Sequence, residues 1–450
     1  MSTASTLPFV TRVCQTGGRD IVARDHARAQ KLLAGLQPHG PAAFHSAELR
    51  KRGAIHPEFR SRHHSHHHHT TTGGGSGTTA PGGSPSEGET IDVTDAGVTY
   101  TASVGVGSPA TQYTLLIDTG SSNTWIGAGA KYAKTNTSKS TGKKVNVSYG
   151  SGSFSGTECR CFYFRSTFVS LFKLMSSNFG RTDTDQVTLS TGLVIADQSI
   201  GVASSAQGFN DVDGILGIGP VDLTQGTVAG GQSVPTVTDN LYSQGTISVE
   251  SIGIFYEPTT SDNVLNGELT FGTIDQSKVT GNVNYVPITS TQPAGSYWGI
   301  DQDVTYGTSG QSILGSSSGI VDTGTTLVLI ASDAFAVYQK ATGGTMDEST
   351  GLLTLTESQF SKLQSLFFNI GGVSYELTAN AQIWPRSLNS TLGGADNKIY
   401  LIVSDLGSQS GQGLDFINGF SFLQRFYSVY DTTNSRVGLA KTAFTNSETN

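Results

Sequence analysis

From about Thr90 to Ala443 the apolar residues do not recur at helical spacing; they alternate with polar ones in short runs bounded by Gly, Asn and Pro. The run VTYTASVGV, Val98 to Val106, alternates with period two. GELTFGTI and GNVNYVPIT likewise carry the β-branched and aromatic residues that suit a half-buried pleated surface. The pattern predicts strands throughout this region and an all-β fold class. Ahead of it, ARDHARAQKLLAGL is rich in Ala, Leu, Arg and Lys and predicts a helix within residues 1–62. Residues 63–89, a His-, Thr-, Gly- and Ser-rich run, cannot bury a core and read as a solvated linker. The strand-rich body then repeats itself. LLIDTGSS is followed by DGILGIG, and later GIVDTGTT is followed by DFINGF. An Asp turn followed by an apolar-x-Gly segment, twice in the same order, predicts two pseudo-symmetric lobes over 90–274 and 275–450. Each lobe would bring one Asp turn to the cleft between them.

At 450 residues the chain is long enough for two cored units. Its charge is unevenly placed. Residues 1–62 hold ten Lys/Arg against four Asp/Glu, a balance of +6, so the rest carries −14 (−8 − 6). A basic leader ahead of an acidic body is expected to dock on it and to loosen when acid protonates the carboxylates. All ten His lie at or before position 69, which removes His-dependent triads and His-ligated metals from the body. Three Cys, Cys14, Cys159 and Cys161, form neither a disulfide framework nor a CxxC metal pattern. No apolar span of membrane length is present, and neither a nucleic-acid nor a membrane partner is expected. Sequons at Asn136, Asn146 and Asn389 are candidate glycosylation sites on a secretory route, although MSTASTLPFV lacks the basic start and apolar core of a signal peptide.

The two Asp turns, centred on Asp118 and Asp322, lie 204 residues apart (322 − 118). Two carboxylates within hydrogen-bonding distance share a proton, because like charge raises one pKa. One can then deprotonate a water while the other protonates a carbonyl oxygen, which is general acid–base hydrolysis suited to an amide. Gly120 and Gly324 allow each turn to bend tightly. The Thr119 and Thr323 hydroxyls can bond across to the opposite loop. Ser121 and Thr325, three residues past each Asp, can hold the outer carboxylate oxygens. Paired Asx-type turns capping strand ends would be the purely structural reading of the same residues. A two-carboxylate glycosidase would also use paired acids, but the symmetric D-T-G turns fit it poorly.

From about residue 90 onward these motifs resemble the pepsin-like aspartic endopeptidases, and among them the fungal polyporopepsin-type enzymes. VSYGSGSFSG, within 145–156, resembles the flap hairpin that folds over bound peptide, with Tyr149 at its tip beside Gly150 and Ser151. SSNTW supplies Trp125, the usual partner of that tyrosine, and DGILGIGP, YWGI and FLQRFYSVYDTTNSRVGLA follow in the family's order. LPFVTRVCQTGGRDIVARDHARAQKLL resembles the family's basic prosegment, which assigns residues 1–62 to a leader that occupies the cleft until acid releases it. The resemblance implies a bilobal β fold with the cleft between the lobes, Asp118 and Asp322 as the catalytic pair, and a zymogen. It also implies cleavage of protein or peptide substrates between bulky hydrophobic residues at acidic pH, inhibition by pepstatin-type peptides, a monomer with no metal or cofactor, and a secreted or vacuolar location. Leu116, Tyr149 and Trp125 suit a cleft that selects apolar side chains.

The sequence departs from the pattern between Cys159 and Arg181, where CRCFYFRSTFVSLFKLMSSNFGR interrupts the return strand of the flap region. Six aromatics fall in these 23 positions. The stretch reads as an unspliced intron carried into the chain, with a genuine apolar insert as the alternative. An insert there keeps open a catalytically silent, peptide-binding relative. Asn418 in FING stands where an apolar residue is commoner in the family and has no explanation at the level of sequence.

Overall fold

The computed structural model describes residues 5–13, 17–35, 98–149, 153–155, 180–207, 209, 212–261 and 264–450. The linker 63–89 with its His run, most of the insert 159–181, and Gly150 and Ser151 lie outside the described residues.

Strands dominate, as the period-two pattern predicts, and they form two lobes joined by shared sheet. In the first lobe Val98–Val106 and Thr111–Asp118 form an antiparallel hairpin. The latter strand buries Tyr113, Leu115 and Ile117 on one face, while Leu116 points to the other and packs on a second cluster around Trp125. In the second lobe a seven-stranded sheet runs in the order 373–377, 366–370, 299–306, 311–321, 416–418, 328–330, 403–405. The join is built from Ser251–Tyr256 and Val264–Phe271 of the first half, paired through Ser251–Tyr256 with Phe426–Asp431 of the second. Among the described residues no helix is long and apolar enough to cross a membrane.

The leader is part of this framework. Ser5–Val13 is a strand inserted between Val264–Phe271 and Val98–Val106, antiparallel to both. Its Phe9 is fully buried and packs edge-on against Tyr100 and Tyr256, with centroids 5.9 and 5.0 Å away. A Cβ at Gly267 would fall 1.7 Å from the Phe9 ring, so glycine there makes the room. Burying such a side chain contributes about 1.5–3 kcal/mol. The expected helix is Gly18–Leu33, and its buried stripe is Ile21, Arg24, Asp25, Arg28, Ala29 and Leu32. The spacing is that of one helical face. Three of the six are charged, which a core-facing stripe tolerates only against ionic partners.

Two sequence readings change here. Gly180 and Arg181, assigned to the insert, are already in the strand Gly180–Ser190 and pair with Val145 and Lys144, so the return strand starts two residues earlier than expected. Asn389 is 1% exposed, and its Nδ2 donates to the Ala395 and Lys398 carbonyls at 3.1 and 2.8 Å. A side chain so enclosed cannot carry a glycan in the folded protein. Asn136 is exposed in a turn, and Asn146 is half-buried in the strand Lys139–Ser148.

Candidate active site

Each Asp turn hangs from the end of a strand braced by a parallel neighbour. Gly217 pairs with Asp118, and Asn418 pairs with Val321, the residue before Asp322. Both carboxylates are almost wholly buried, at 1% and 0% exposure. The turns are tied to each other: Thr119 N donates to Thr323 Oγ1 at 3.1 Å, and Thr323 N to Thr119 Oγ1 at 2.9 Å. Each carboxylate is held twice from its own loop. Asp118 accepts from Gly120 N (3.0 Å) and Ser121 Oγ (2.5 Å), and Asp322 from Gly324 N (3.2 Å) and Thr325 Oγ1 (2.6 Å).

Gly419 supports the second turn from below. A Cβ there would meet the Leu327 and Thr325 carbonyl oxygens at 2.2 and 2.6 Å, atoms of backbone that cannot swing aside. Gly419→Ala is therefore expected to cost about 1–3 kcal/mol of stability. A denaturant midpoint equal to that of the parent would contradict this.

The two carboxylates do not face each other across open space. Arg28, from the leader helix, lies between them. Its Nη2 donates to Asp118 Oδ1 at 2.5 Å and to Asp322 Oδ1 at 2.8 Å, and its Nε to Asp322 Oδ2 at 2.6 Å. Gly120 and Gly324 leave the space it fills, since a Cβ on either would come within 2.2 or 2.3 Å of Nη2. Burial pushes the Asp322 carboxyl up, but Arg28, Thr325 and Gly324 outweigh it and hold the group below the usual carboxylate range. Burial also works against the Arg28 charge, and the two carboxylates reverse this, raising it well above its ordinary value.

The model of the eukaryotic aspartyl protease family matches residues 174–442, more than half of the chain. The chain belongs to this family. It is 59% identical over 362 residues to polyporopepsin of Irpex lacteus, covering 80% of this chain and 99% of the relative. To pepsin A of Suncus murinus it is 30% identical over 363 residues, covering 76% and 81%. A crystal structure of the Irpex lacteus aspartic proteinase superposes with a TM-score of 0.71 at 59% identity, covering 78% of this chain and 96% of that one. A second family model, a xylanase inhibitor N-terminal domain, matches residues 100–229. The identity to polyporopepsin along nearly its full length makes the chain an aspartic endopeptidase with the bilobal pepsin-like fold, and the comparisons do not support the silent peptide-binding alternative.

Across the cleft of this protease, Lys139–Ser148 and Ser153–Ser155 form the antiparallel hairpin that leads to Tyr149. Tyr149 is buried, its ring 6.2 Å from that of Trp125. Burial, with Asp118 nearby, pushes that phenol well up. Phe209 completes the cluster, edge-on to Trp125 at 4.9 Å and to Tyr149 at 5.4 Å. Phe209 was not legible as a site residue, because nothing in SSAQGFN marks its ring as the one that returns to the flap. Leu116 packs on the same cluster.

Leader residues other than Arg28 also reach the site. Lys31, one turn on, stands over the Tyr149 ring at 5.1 Å. Burial and the like charge of Arg28 draw it down to about 8 against the pull of Asp118. Arg24 Nη2 donates to Thr326 Oγ1, and Asp25 Oδ2 accepts from Thr326 N and Leu327 N at 3.0 and 2.9 Å. The YWGI motif contributes a contact between lobes: Trp298 Nε1 donates to the Ile218 carbonyl at 3.4 Å. Among the described residues no cluster of His, Cys, Asp and Glu could hold a metal.

Proposed function

We propose that Asp118 and Asp322 are the catalytic pair of this endopeptidase and that the full chain is its self-inhibited precursor, with the leader as inhibitor. The supporting observation is that one nitrogen, Arg28 Nη2, touches the inner oxygens of both carboxylates. A water taking that place on release of the leader would lie within bonding reach of both. One carboxylate takes a proton from this water as its oxygen adds to the scissile carbonyl carbon, and the other gives a proton to the carbonyl oxygen. The carboxyl that took the water's proton gives it to the nitrogen as the C–N bond breaks. The other carboxylate takes a proton from a hydroxyl of the tetrahedral species as its C=O re-forms, and the pair again holds one shared proton. Ser121 and Thr325 hold the outer oxygens throughout. The cage of Leu116, Trp125, Tyr149 and Phe209 offers an apolar wall to one side of the cleft, which favours bulky hydrophobic substrate side chains.

The test is cleavage of denatured globin by the full chain, with and without a pepstatin-type peptide. The chain is expected to be silent at neutral pH, to become active after acidification, and then to be fully blocked by the peptide. Cleavage at neutral pH that ignores the peptide would overturn the proposal. An acid-activated precursor suits a secreted or vacuolar protease, and Asn136, exposed in its turn, is then the proposed glycan acceptor.

A further inference from the structure

The position of Asn418 in DFINGF corresponds to Leu216 in DGILGIG. The ladders fix the equivalence: Leu216 pairs with Ile117 and Asn418 with Val321, the residues immediately before Asp118 and Asp322. Both are at 0% exposure. Beneath Asp118, then, an apolar side chain fills this place, and packing alone would accept one beneath Asp322. Burying an amide there costs desolvation unless its polar atoms are bonded.

Its partner is Gln302, 2% exposed and 116 residues earlier. Asn418 Nδ2 donates to Gln302 Oε1 at 2.8 Å, and Gln302 Nε2 donates back to Asn418 Oδ1 at 3.4 Å. The two residues lie on Gly299–Tyr306 and Phe416–Asn418, strands that share no ladder. The strand between them in the sheet, Gln311–Val321, is the one that delivers Asp322. The amide pair therefore ties together the two neighbours of that strand. The main chain of the same segment holds the Asp322 loop. The Asn418 carbonyl accepts from Asp322 N at 3.2 Å, Phe420 N donates to Thr325 O at 2.8 Å, and Ser421 N to Thr326 O at 3.1 Å.

We propose that Gln302 and Asn418 are a positioning pair for Asp322. They fix the orientation of the peptide that holds the Asp322 backbone, and so keep its carboxylate in register with that of Asp118. The proposal rests on the reading of Asp322 as one of the two reacting carboxylates. A reactive group displaced by a fraction of a bond length loses rate without losing affinity, because alignment is needed in the transition state more than in binding.

The experiment compares the acid-activated full chain with the double variant Gln302→Leu/Asn418→Leu, which removes both amides and strands neither. The double variant is expected to fold with a denaturation midpoint near the parent's. Its kcat on a peptide substrate should fall by about 10–100-fold with KM little changed, and the acidic limb of its kcat–pH profile should move. The swapped pair Gln302→Asn/Asn418→Gln, which keeps two facing amides, should recover part of that kcat. Gln302→Met, close in volume, is the second route should the double variant fail to fold, and it predicts the same loss of kcat. A folded variant of either kind with the parent's kcat and pH profile refutes the proposal, whatever its midpoint. Asp322→Asn in the same assay separates the two levels. If it is inactive while the amide variants behave as the parent does, only the positioning role fails. If it is active, the catalytic reading fails and the positioning role with it.

Discussion

Asp118→Asn and Asp322→Asn, made singly, are each expected to lower kcat on a peptide substrate by about 10²–10⁴-fold with the fold retained. An amide has nearly the shape of the carboxylate: its oxygen can keep the bond from Gly120 N or Gly324 N, and its NH2, standing in for the outer oxygen, can donate to the Ser121 or Thr325 hydroxyl once that hydroxyl turns. What it lacks is the capacity to take and return a proton in the acidic range. If the pair acts as one proton-sharing unit, as proposed, losing either member should cost about as much as losing both. Single-turnover kinetics on the acid-activated proteins, with circular dichroism as the check on folding, decide the matter. Retention of a tenth of the parent's rate by either variant would remove that residue from the mechanism. A double variant much slower than the singles would show two independent contributions in place of a coupled pair.

Much of this site could be read in the sequence, because its chemistry is written twice. The apolar approach, the Asp, the Gly that opens the turn and the hydroxyl three residues on are all local, and the structure needs only to bring two such turns together. The features that escaped are non-local or depend on phase. The leader strand Ser5–Val13 buries Leu7 and Phe9 in alternation, but Pro8 between them, which donates no hydrogen bond to a ladder, argues against a strand when read alone. Arg24, Asp25 and Arg28 were visible as charge in a basic leader. That they share one buried helical stripe emerges only once the helix is phased by Ile21 and Leu32. Asn418 stood out as an anomaly, and its reason lies on a strand 116 residues away. Asn389 misled in the opposite sense. The N-x-S/T triplet is there, but the side chain serves two carbonyls inside the second lobe.

Arg28→Met is expected to turn the silent full chain into one that cleaves a small peptide substrate at weakly acidic pH, where the parent remains blocked. The argument is one of linkage. In the docked state Asp322 is held below its ordinary value, chiefly by Arg28 working against burial. A carboxylate with a depressed pKa stabilises the state that depresses it at every pH above its free value, about 4. That stabilisation fades as the pH falls below this value and through the depressed one, so acid is expected to expel the leader. Lys31, drawn down to about 8, is charged throughout the acidic range and adds no pH dependence there. Asp25 has the opposite sign: burial, opposed by Arg24 and the Leu327 and Thr326 amides, raises it, so the docked leader gains relative stability as Asp25 takes up a proton. Release in acid requires the Asp322 contribution to exceed that of Asp25, and the group that sets it is Arg28, which reaches both the Asp322 and Asp118 carboxylates. Removing it leaves them buried beneath the leader without a counter-charge, and deleting one partner of a buried pair costs about 3–5 kcal/mol. At about 1.4 kcal/mol per decade this loosens docking by roughly 10² to several 10³-fold, enough to expose the cleft well above the parent's release pH. Arg28→Lys keeps the charge but forfeits the forked contact, and should fall between the two. The measurement is peptide cleavage against pH in the first seconds after dilution, before leader cleavage contributes, with the intact chain followed on a gel. If Arg28→Met and the parent become active at the same pH, Arg28 is a neighbour of the two carboxylates and not the group that holds the cleft closed.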